Sequence, residues 1–307
     1  ISSVLLLFIA IFLMRFSGQG MMSHTASTTI SRYFTNTRGK ALSTGWFGLS
    51  TAEFLMPVTI IYALTIMDWR NIWIIISVAI ILFLPLVSYL LVKEVKLSSR
   101  EDDNEVIKEN IKQWTRSEVI KDYRFIIIAL NMLAMPWIAT GIFVYQSFIL
   151  SAKNWGEYTI AQSFMVYSIA SVLTLFVAGY LIDKFTSRKL LIYMNIPFLI
   201  SLLILIYFQS PISSFFFLGL IGVSNGFANV LGSSTWAELY GVKFIGSIKA
   251  LTTALMVFST AFGTAFFGLM IDFNFSIEQI SMISGGYILI SLILLFFIKN
   301  KLNPTIL

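Results

Sequence analysis

The sequence has no cysteine and a single histidine, and only 12% of its residues are charged. Without cysteine there can be no disulfide scaffold, no thiol chemistry and no cysteine-bound metal. One histidine also argues against a histidine-based metal site. A soluble protein carries about twice this share of charged residues, because polar side chains must cover its surface. The composition therefore excludes an ordinary soluble enzyme and a disordered chain.

Apolar residues make up 57% of the 307, and the mean hydropathy is +0.85. A helix needs about 20 mostly apolar residues to cross a bilayer. The apolar runs are continuous rather than alternating, which predicts helices and not the strands of a membrane barrel. We therefore predict an all-α, polytopic bundle of transmembrane helices, with spans at 3–28, 41–66, 71–92, 125–150, 159–182, 189–208, 212–236, 246–271 and 279–298.

The basic residues predict the orientation of these spans, because loops rich in Lys and Arg stay in the cytoplasm. All but Arg15, Arg70 and Lys153 of the 21 lysines and arginines fall in alternate loops and in the C-terminal tail. We therefore expect the C-terminus on the cytoplasmic side of the inner (plasma) membrane. The positive excess is a topology signal, and we expect no nucleic-acid partner, since no basic surface with interleaved aromatics is present.

The loop 93–123 carries 15 of the 36 charged residues of the chain, more than any other loop. Within it, Ile107, Ile111 and Trp114 are spaced i, i+4, i+7. This spacing indicates a short amphipathic helix on the inner membrane surface. A solvated linker between two helix bundles is the alternative.

Two segments of the chain resemble each other, 33–42 and 239–251. In each, an aromatic residue ends one span, and a basic residue, a glycine and Lys-Ala-Leu lead into the next. Both segments are predicted to face the cytoplasm, so they form a parallel repeat, as in transporters built from six-helix halves. Chance similarity between two spans rich in small residues is the alternative.

The position of the repeat predicts how the chain is organised. If span two is the fifth helix of its half, three spans precede Ile1, and these residues are helices 4 to 12 of twelve. We then expect the remainder of an N-terminal bundle at 1–92, a cytoplasmic loop at 93–123 and a C-terminal bundle at 124–307. We also expect that the 307 residues alone cannot complete a transport cavity.

The loop after span five reads Gly179-Tyr-Leu-Ile-Asp183-Lys184-Phe-Thr-Ser-Arg188-Lys189. It resembles the cytoplasmic signature of the major facilitator superfamily, G-x-x-x-D-R/K-x-G-x-R/K-R/K, with Thr186 in place of the second glycine. Three further segments are similar to family patterns for helix 4, for the loop between helices 4 and 5, and for the start of helix 6: 15–20, 38–42 and 69–70. The Gly-Pro pair of the helix 5 signature is absent.

The resemblance covers the whole chain and implies secondary transport of a small solute by alternating access. Asp183 would close the inner face through ion pairs, for which Lys243 and Lys249 are candidate partners; the alternative is that the basic residues there only enforce orientation. The residues of this cytoplasmic gate motif are Gly179, Asp183, Lys184, Arg188, Lys189 and Arg38.

Two ionisable residues lie midway along spans, Arg15 in the first and Glu53 in the second. Charges at that depth are expensive and are therefore functional candidates. We expect the pair to face the cavity, where Arg15 binds an anionic group or tunes a proton site and Glu53 titrates. The alternative is a structural ion pair. Gln19 lies one turn from Arg15 and belongs to the same candidate site, whereas His24 is a packed polar group or a proton relay.

The second half offers polar candidates for substrate contact, each of which is alternatively a hydrogen-bonding link between helices. By resemblance, their spans line the cavity. They are Asn131, Tyr145, Gln146, Gln162, Asn225 and Asn229.

The leading prediction is a monomeric secondary transporter in the lipid bilayer, with no cofactor and no metal. Arg15 favours an organic anion as the small-molecule substrate, and the segment around Arg38 resembles the monocarboxylate and oxalate/formate branches. Protons are candidate coupling ions, and symport and antiport both stay open. The alternative is a non-transporting sensor or assembly partner with the same fold. An enzyme is not expected, because no catalytic motif is present.

Overall fold

The computed structural model describes residues 3–34, 37–92 and 111–305. Helices dominate the described chain. The π-helical turns Arg15–Met22 and Met135–Ala139 join α1 to α2 and α6 to α7, and a 3-10 turn, Lys299–Lys301, follows the last helix. The α-helices are α1 (Val4–Met14), α2 (Ser23–Tyr33), α3 (Arg38–Ile66), α4 (Trp69–Val92), α5 (Arg116–Lys121), α6 (Tyr123–Ala134), α7 (Thr140–Val144), α8 (Gln146–Lys153), α9 (Glu157–Phe185), α10 (Ser187–Met194), α11 (Ile196–Tyr207), α12 (Ser213–Tyr240), α13 (Ile245–Asp272) and α14 (Ile277–Ile298).

Eight helical stretches of the described chain are long and apolar enough to cross a membrane. Inside a bilayer each backbone group must be hydrogen-bonded within its own helix, so apolar runs become complete helices. Eight of the nine predicted spans are thereby confirmed. The ninth, 41–66, lies in α3. Four side chains of this helix are outside the described residues, those of Glu53, Pro57, Val58 and Ile61. The eight are Val4–Tyr33, Trp69–Leu90, Tyr123–Val144, Gln162–Phe185, Ser187–Tyr207, Ser213–Tyr240, Ile245–Asp272 and Ile277–Lys301.

The described residues fall into two compact units, one from 1–48 and 110–307 and the other from 49–109. In the second unit, α4 begins after a turn in which the Asp68 carbonyl oxygen accepts a hydrogen bond from the Asn71 amide at 3.0 Å. Most side chains of α4 are exposed, as expected of a helix that faces lipid. The predicted bundles 1–92 and 124–307 rest on the repeat and stay a prediction.

Small residues allow close packing of α9 and α12 in the first unit. A Cβ at Gly222 would collide with the backbone of Tyr167, and one at Gly226 would lie 2.6 Å from the Ser171 carbonyl oxygen. Small residues at such interfaces let membrane helices approach closely. The Gly222-x-x-x-Gly226 spacing therefore marks helix packing.

Two buried clusters form the core of the first unit. One surrounds Trp236 and Tyr240 at the end of the unit that carries Asp183, which we call the Asp183 end. The other surrounds Trp137 and Phe217 and extends towards the opposite end. There, the fully buried Lys153 ammonium forms an ion pair with Glu278 at 2.7 Å.

The chain from Ile111 to Thr115 is not helical, so the predicted amphipathic helix through Ile111 and Trp114 is wrong for its described part; Ile107 lies outside the described residues. Its amides bond to distant parts of the chain, Lys112 to the Thr305 carbonyl at 2.8 Å and Trp114 to the Tyr240 carbonyl at 3.0 Å. Trp114 packs edge-on against Tyr240. The apolar side of this segment therefore contacts protein.

A capping box starts α5 directly after this segment. The Glu118 carboxylate accepts hydrogen bonds from the Thr115 amide and hydroxyl, both at 2.8 Å. The Lys112 ammonium, 2.8 Å away, together with these bonds, lowers the pKa of Glu118 to about 2. The carboxylate therefore stays ionised and holds the helix start in place.

Candidate functional site

The most specific contact of the gate motif joins Asp183 to the start of α3. Its carboxylate accepts hydrogen bonds from the Gly39 amide at 2.8 Å and the Lys40 amide at 3.1 Å. The first amides of a helix lack partners within it and carry partial positive charge, so a carboxylate is favourable there. The predicted ion pair of Asp183 with Lys243 or Lys249 is wrong, because the carboxylate binds the N-terminus of α3 instead.

Two glycines make this contact possible. A Cβ at Gly39 would collide with the carbonyl of Gly179, and one at Gly179 would collide with Ser43. The Ser43 hydroxyl lies 2.9 Å from the Gly39 carbonyl oxygen and 2.7 Å from that of Leu175. Helices α3 and α9 are therefore in backbone contact at the Asp183 end.

The basic residues of the motif have separate surroundings. Arg188 donates to the Leu302 carbonyl at 3.2 Å and to the Asn303 side chain at 3.1 Å, and thereby holds the C-terminal tail. Lys184 and Lys189 are exposed, and Arg38 is half-buried. The motif thus contributes one carboxylate to the contact with α3 and one guanidinium to the tail.

Thr186 adopts a positive φ of 76° with ψ 146° between α9 and α10. This is the position at which the family signature has its second glycine. Beside it, the Glu238 carboxylate accepts hydrogen bonds from the Ser187 amide at 2.9 and 3.1 Å and so caps α10. The sequence analysis missed Glu238, although a lone acidic residue near the end of an apolar span was a usable signal.

The candidates of the first two spans are only partly described. Arg15 is exposed at the start of a π-helical turn, a feature that is frequent at functional sites. The side chains of Gln19 and Glu53 lie outside the described residues, so the Arg15–Glu53 pair stays a prediction. His24 is half-buried, and its Nδ1 has no hydrogen-bond partner.

Two of the second-half asparagines connect helices. Asn131 is fully buried, and its side-chain amide donates to Ser291 of α14 at 3.3 Å. Asn225 of α12 donates to Ser171 of α9 at 3.0 Å. These contacts match the alternative of hydrogen-bonded helix packing.

The remaining second-half candidates are spread over three helices. Tyr145 stands at the break between α7 and α8, and Gln146 begins α8. Gln162 is exposed on α9 and Asn229 is half-buried on α12. No hydrogen bond joins any two of the second-half candidates, all of which are described. Their role in substrate contact stays a prediction.

The sequence analysis named Lys249 only as a candidate partner of Asp183 and missed its burial. Lys249 of α13 is 3% exposed, and its ammonium donates to the Ser31 hydroxyl of α2 at 3.1 Å. Ser31 in turn donates to the Ser27 carbonyl at 2.6 Å. The sequence analysis counts Lys249 among the basic residues of the loops, although the residue lies within the predicted span 246–271.

A second feature that the sequence analysis missed is an aromatic cavity of about 370 Å³ between α6, α13 and α14. Trp137 lines it, and its ring centroid lies 5.6, 5.4 and 5.3 Å from those of Phe262, Phe266 and Tyr287. None of the predicted site residues lines it. Because the walls of this cavity are apolar, the polar residues within the spans gave no signal for it.

The sequence model of the Major Facilitator Superfamily matches residues 1–264 and 126–306. No curated protein matches the chain. Together the two family matches span the chain from residue 1 to residue 306, in agreement with the eight apolar helices found among the described residues. The chain therefore belongs to the Major Facilitator Superfamily and is a multi-pass membrane transporter of small solutes.

Proposed function

We propose that this protein carries a small organic anion across the plasma membrane by alternating access, with its C-terminus and the Asp183 end in the cytoplasm. The contact of Asp183 with the start of α3 supports the proposal most directly. It links parts of the chain 144 residues apart, and Asp183 is exposed. Water can therefore replace these bonds when the two helices separate. A contact of this kind biases one access state by about 1–3 kcal/mol.

The nature of the substrate is inferred from Arg15. A guanidinium within an apolar span is expensive unless it meets an anion, and its planar donors suit carboxylates. Glu53, in the next span, is the proposed proton site. Orientation rests on the distribution of Lys and Arg among the loops, and the two-bundle arrangement rests on the repeat.

Transport by the purified full-length protein in vesicles tests the proposal, because we do not expect the 307 residues alone to complete the cavity. Labelled carboxylates, sugars and amino acids are supplied at two pH values. We expect saturable uptake of a carboxylate, loss of carboxylate uptake in Arg15→Gln, and partial retention in Arg15→Lys. Preference for a sugar or an amino acid would overturn the anion assignment, and failure to move any solute would favour a sensor or assembly role.

Two further variants test the coupling and the gate. Glu53→Gln keeps the shape of the side chain but cannot titrate, so we expect it to remove the pH dependence of uptake. An unchanged rate and pH dependence would exclude the proton role. Asp183→Asn weakens the hydrogen bonds to the α3 amides. We therefore expect residues at the Asp183 end to be labelled more easily from the cytoplasmic side.

A further inference from the structure

Among the described residues two lysines are almost completely buried, and they differ in their partners. Lys153 meets the Glu278 carboxylate at 2.7 Å. Lys249 is 3% exposed and meets a neutral hydroxyl, that of Ser31 at 3.1 Å. No carboxylate of the described residues forms an ion pair with Lys249. A buried ammonium without a counter-charge is strongly unfavourable, so its retention calls for an explanation.

The surroundings of Lys249 add to the positive charge. Arg38, at the start of α3, repels the Lys249 ammonium. His24, on α2, would be repelled by it when protonated, and its Nδ1 has no hydrogen-bond partner. A Cβ at Gly246, in the first turn of α13, would lie 3.8 Å from the Thr28 Cγ2 on α2. Arg38 and His24 thus each lie near enough to Lys249 to interact with its charge.

The hydrogen bond between Lys249 and Ser31 also connects distant parts of the chain. Ser31 and Lys249 are 218 residues apart, on helices that belong to the first and second halves of the predicted repeat. If α2 and α13 separate when the cytoplasmic side opens, the ammonium loses Ser31 and becomes accessible. An ammonium has three donors, and Ser31 takes only one of them.

We propose that Lys249 is an anion-binding residue at the cytoplasmic mouth of the transport pathway, covered by Ser31 when the mouth is closed. The ligand is a soluble oxyanion, a carboxylate or a phosphate, that binds Lys249 in the open state with the help of Arg38 and His24. The assignment of this anion as the transported substrate rests on the proposed function. Because the anion binds only the open state, it shifts the equilibrium towards opening.

Transport measured from each face gives the first test. In neutral-lipid vesicles, which contain no anionic headgroup, we expect Lys249→Gln to raise the KM for carboxylate on the cytoplasmic face about ten- to hundredfold, the range for loss of a hydrogen bond to a charged group. The KM on the outer face should be unchanged, and Lys249→Arg should restore most of the affinity. Lys243→Gln, the same change at an exposed lysine before α13, is the matched control. Equal effects on both faces, or no effect, would overturn the proposal.

A second test does not depend on transport. The 307 residues contain no cysteine, so Thr28→Cys introduces a single thiol beside the start of α13. We expect this thiol to react faster with an anionic than with a cationic thiol reagent, and inorganic phosphate to protect it. Both effects should disappear when Lys249→Gln is added.

The two tests separate this inference from the proposed function. An unchanged reagent preference and unchanged phosphate protection in Lys249→Gln would refute the anion site, whatever the protein transports. Lysine-dependent protection without uptake of any carboxylate would keep the site and refute organic-anion transport. Protection that requires anionic lipid would assign the ligand to a headgroup and overturn the soluble-anion inference.

Discussion

Thr186 is a β-branched residue at a positive φ of 76°. This region of φ/ψ space is nearly reserved for glycine, and such strain costs about 1–3 kcal/mol. Its hydroxyl is also buried without a hydrogen-bond partner. The chain keeps the turn of the family motif although it lacks the residue that suits that turn.

We expect Thr186→Gly to stabilise the protein by about 1 kcal/mol, since relief of strain exceeds the added flexibility of glycine. Thermal unfolding in detergent measures the change. Thr186→Ala is the control, because it removes the buried hydroxyl but keeps the Cβ. Equal gains in the two variants would show that the hydroxyl, and not the backbone, is the source.

Lys153 illustrates a buried charge that has its partner. Its side chain is fully buried, while that of Glu278 is 31% exposed. Removal of one partner from such a pair leaves an uncompensated charge, whereas removal of both is often neutral.

We therefore expect Glu278→Leu to destabilise the protein by about 3 kcal/mol. The double variant Lys153→Met with Glu278→Leu should regain most of that loss. Unfolding midpoints of the four proteins in the cycle supply the measurement. Additive losses would mean that the pair is not coupled.

At the scale of elements, the contact between α9 and α12 depends on side chains that are small. Gly222 and Gly226 lie against the backbone of α9, and the Ser163 and Ser214 hydroxyls meet at 2.7 Å. Lipid tails are as apolar as the helix surfaces, so close packing and interhelical hydrogen bonds drive this association. A larger side chain at the contact must push the helices apart.

We expect Gly222→Leu to destabilise the protein by about 1–3 kcal/mol or more through overpacking. Gly232 offers a control on the same helix, because a Cβ there meets nothing within 4 Å. Both variants change glycine to leucine in α12, so helix propensity cancels between them. A comparison of their unfolding temperatures therefore isolates the packing, and similar temperatures would contradict this account.

At the scale of the whole molecule, the C-terminal tail connects several parts of the Asp183 end. Arg188 binds Leu302 and Asn303, Arg124 donates to the Asn303 carbonyl at 2.9 Å, and the Lys112 amide donates to the Thr305 carbonyl at 2.8 Å. Leu302 is 3% exposed. The tail is therefore packed structure, held by a residue of the gate motif.

We expect Arg188→Gln to loosen this tail, because it removes two charge-assisted bonds, each worth about 1.5–3 kcal/mol. Cleavage by trypsin after Lys301 should become faster. Lys189→Gln is the matched control, since it removes a neighbouring exposed charge. Equal cleavage rates in the two variants would show that Arg188 does not hold the tail.

The sequence alone predicted the helical class, the eight confirmed spans and the family. These depend on local properties, because each membrane helix satisfies its own backbone and its apolar length can be read residue by residue. The motif that carries Asp183 was visible for the same reason, since its residues lie close together in the chain.

Tertiary structure decided which residues meet. Asp183 contacts the α3 amides rather than a lysine, Lys249 meets Ser31, and the Lys112 and Trp114 amides bond to Thr305 and Tyr240 instead of forming a helix. These partners are more than 100 residues away along the chain, and their choice depends on how whole helices pack. A pattern of apolar residues determines that a helix spans the membrane, but the packing of its neighbours determines what its polar side chains do.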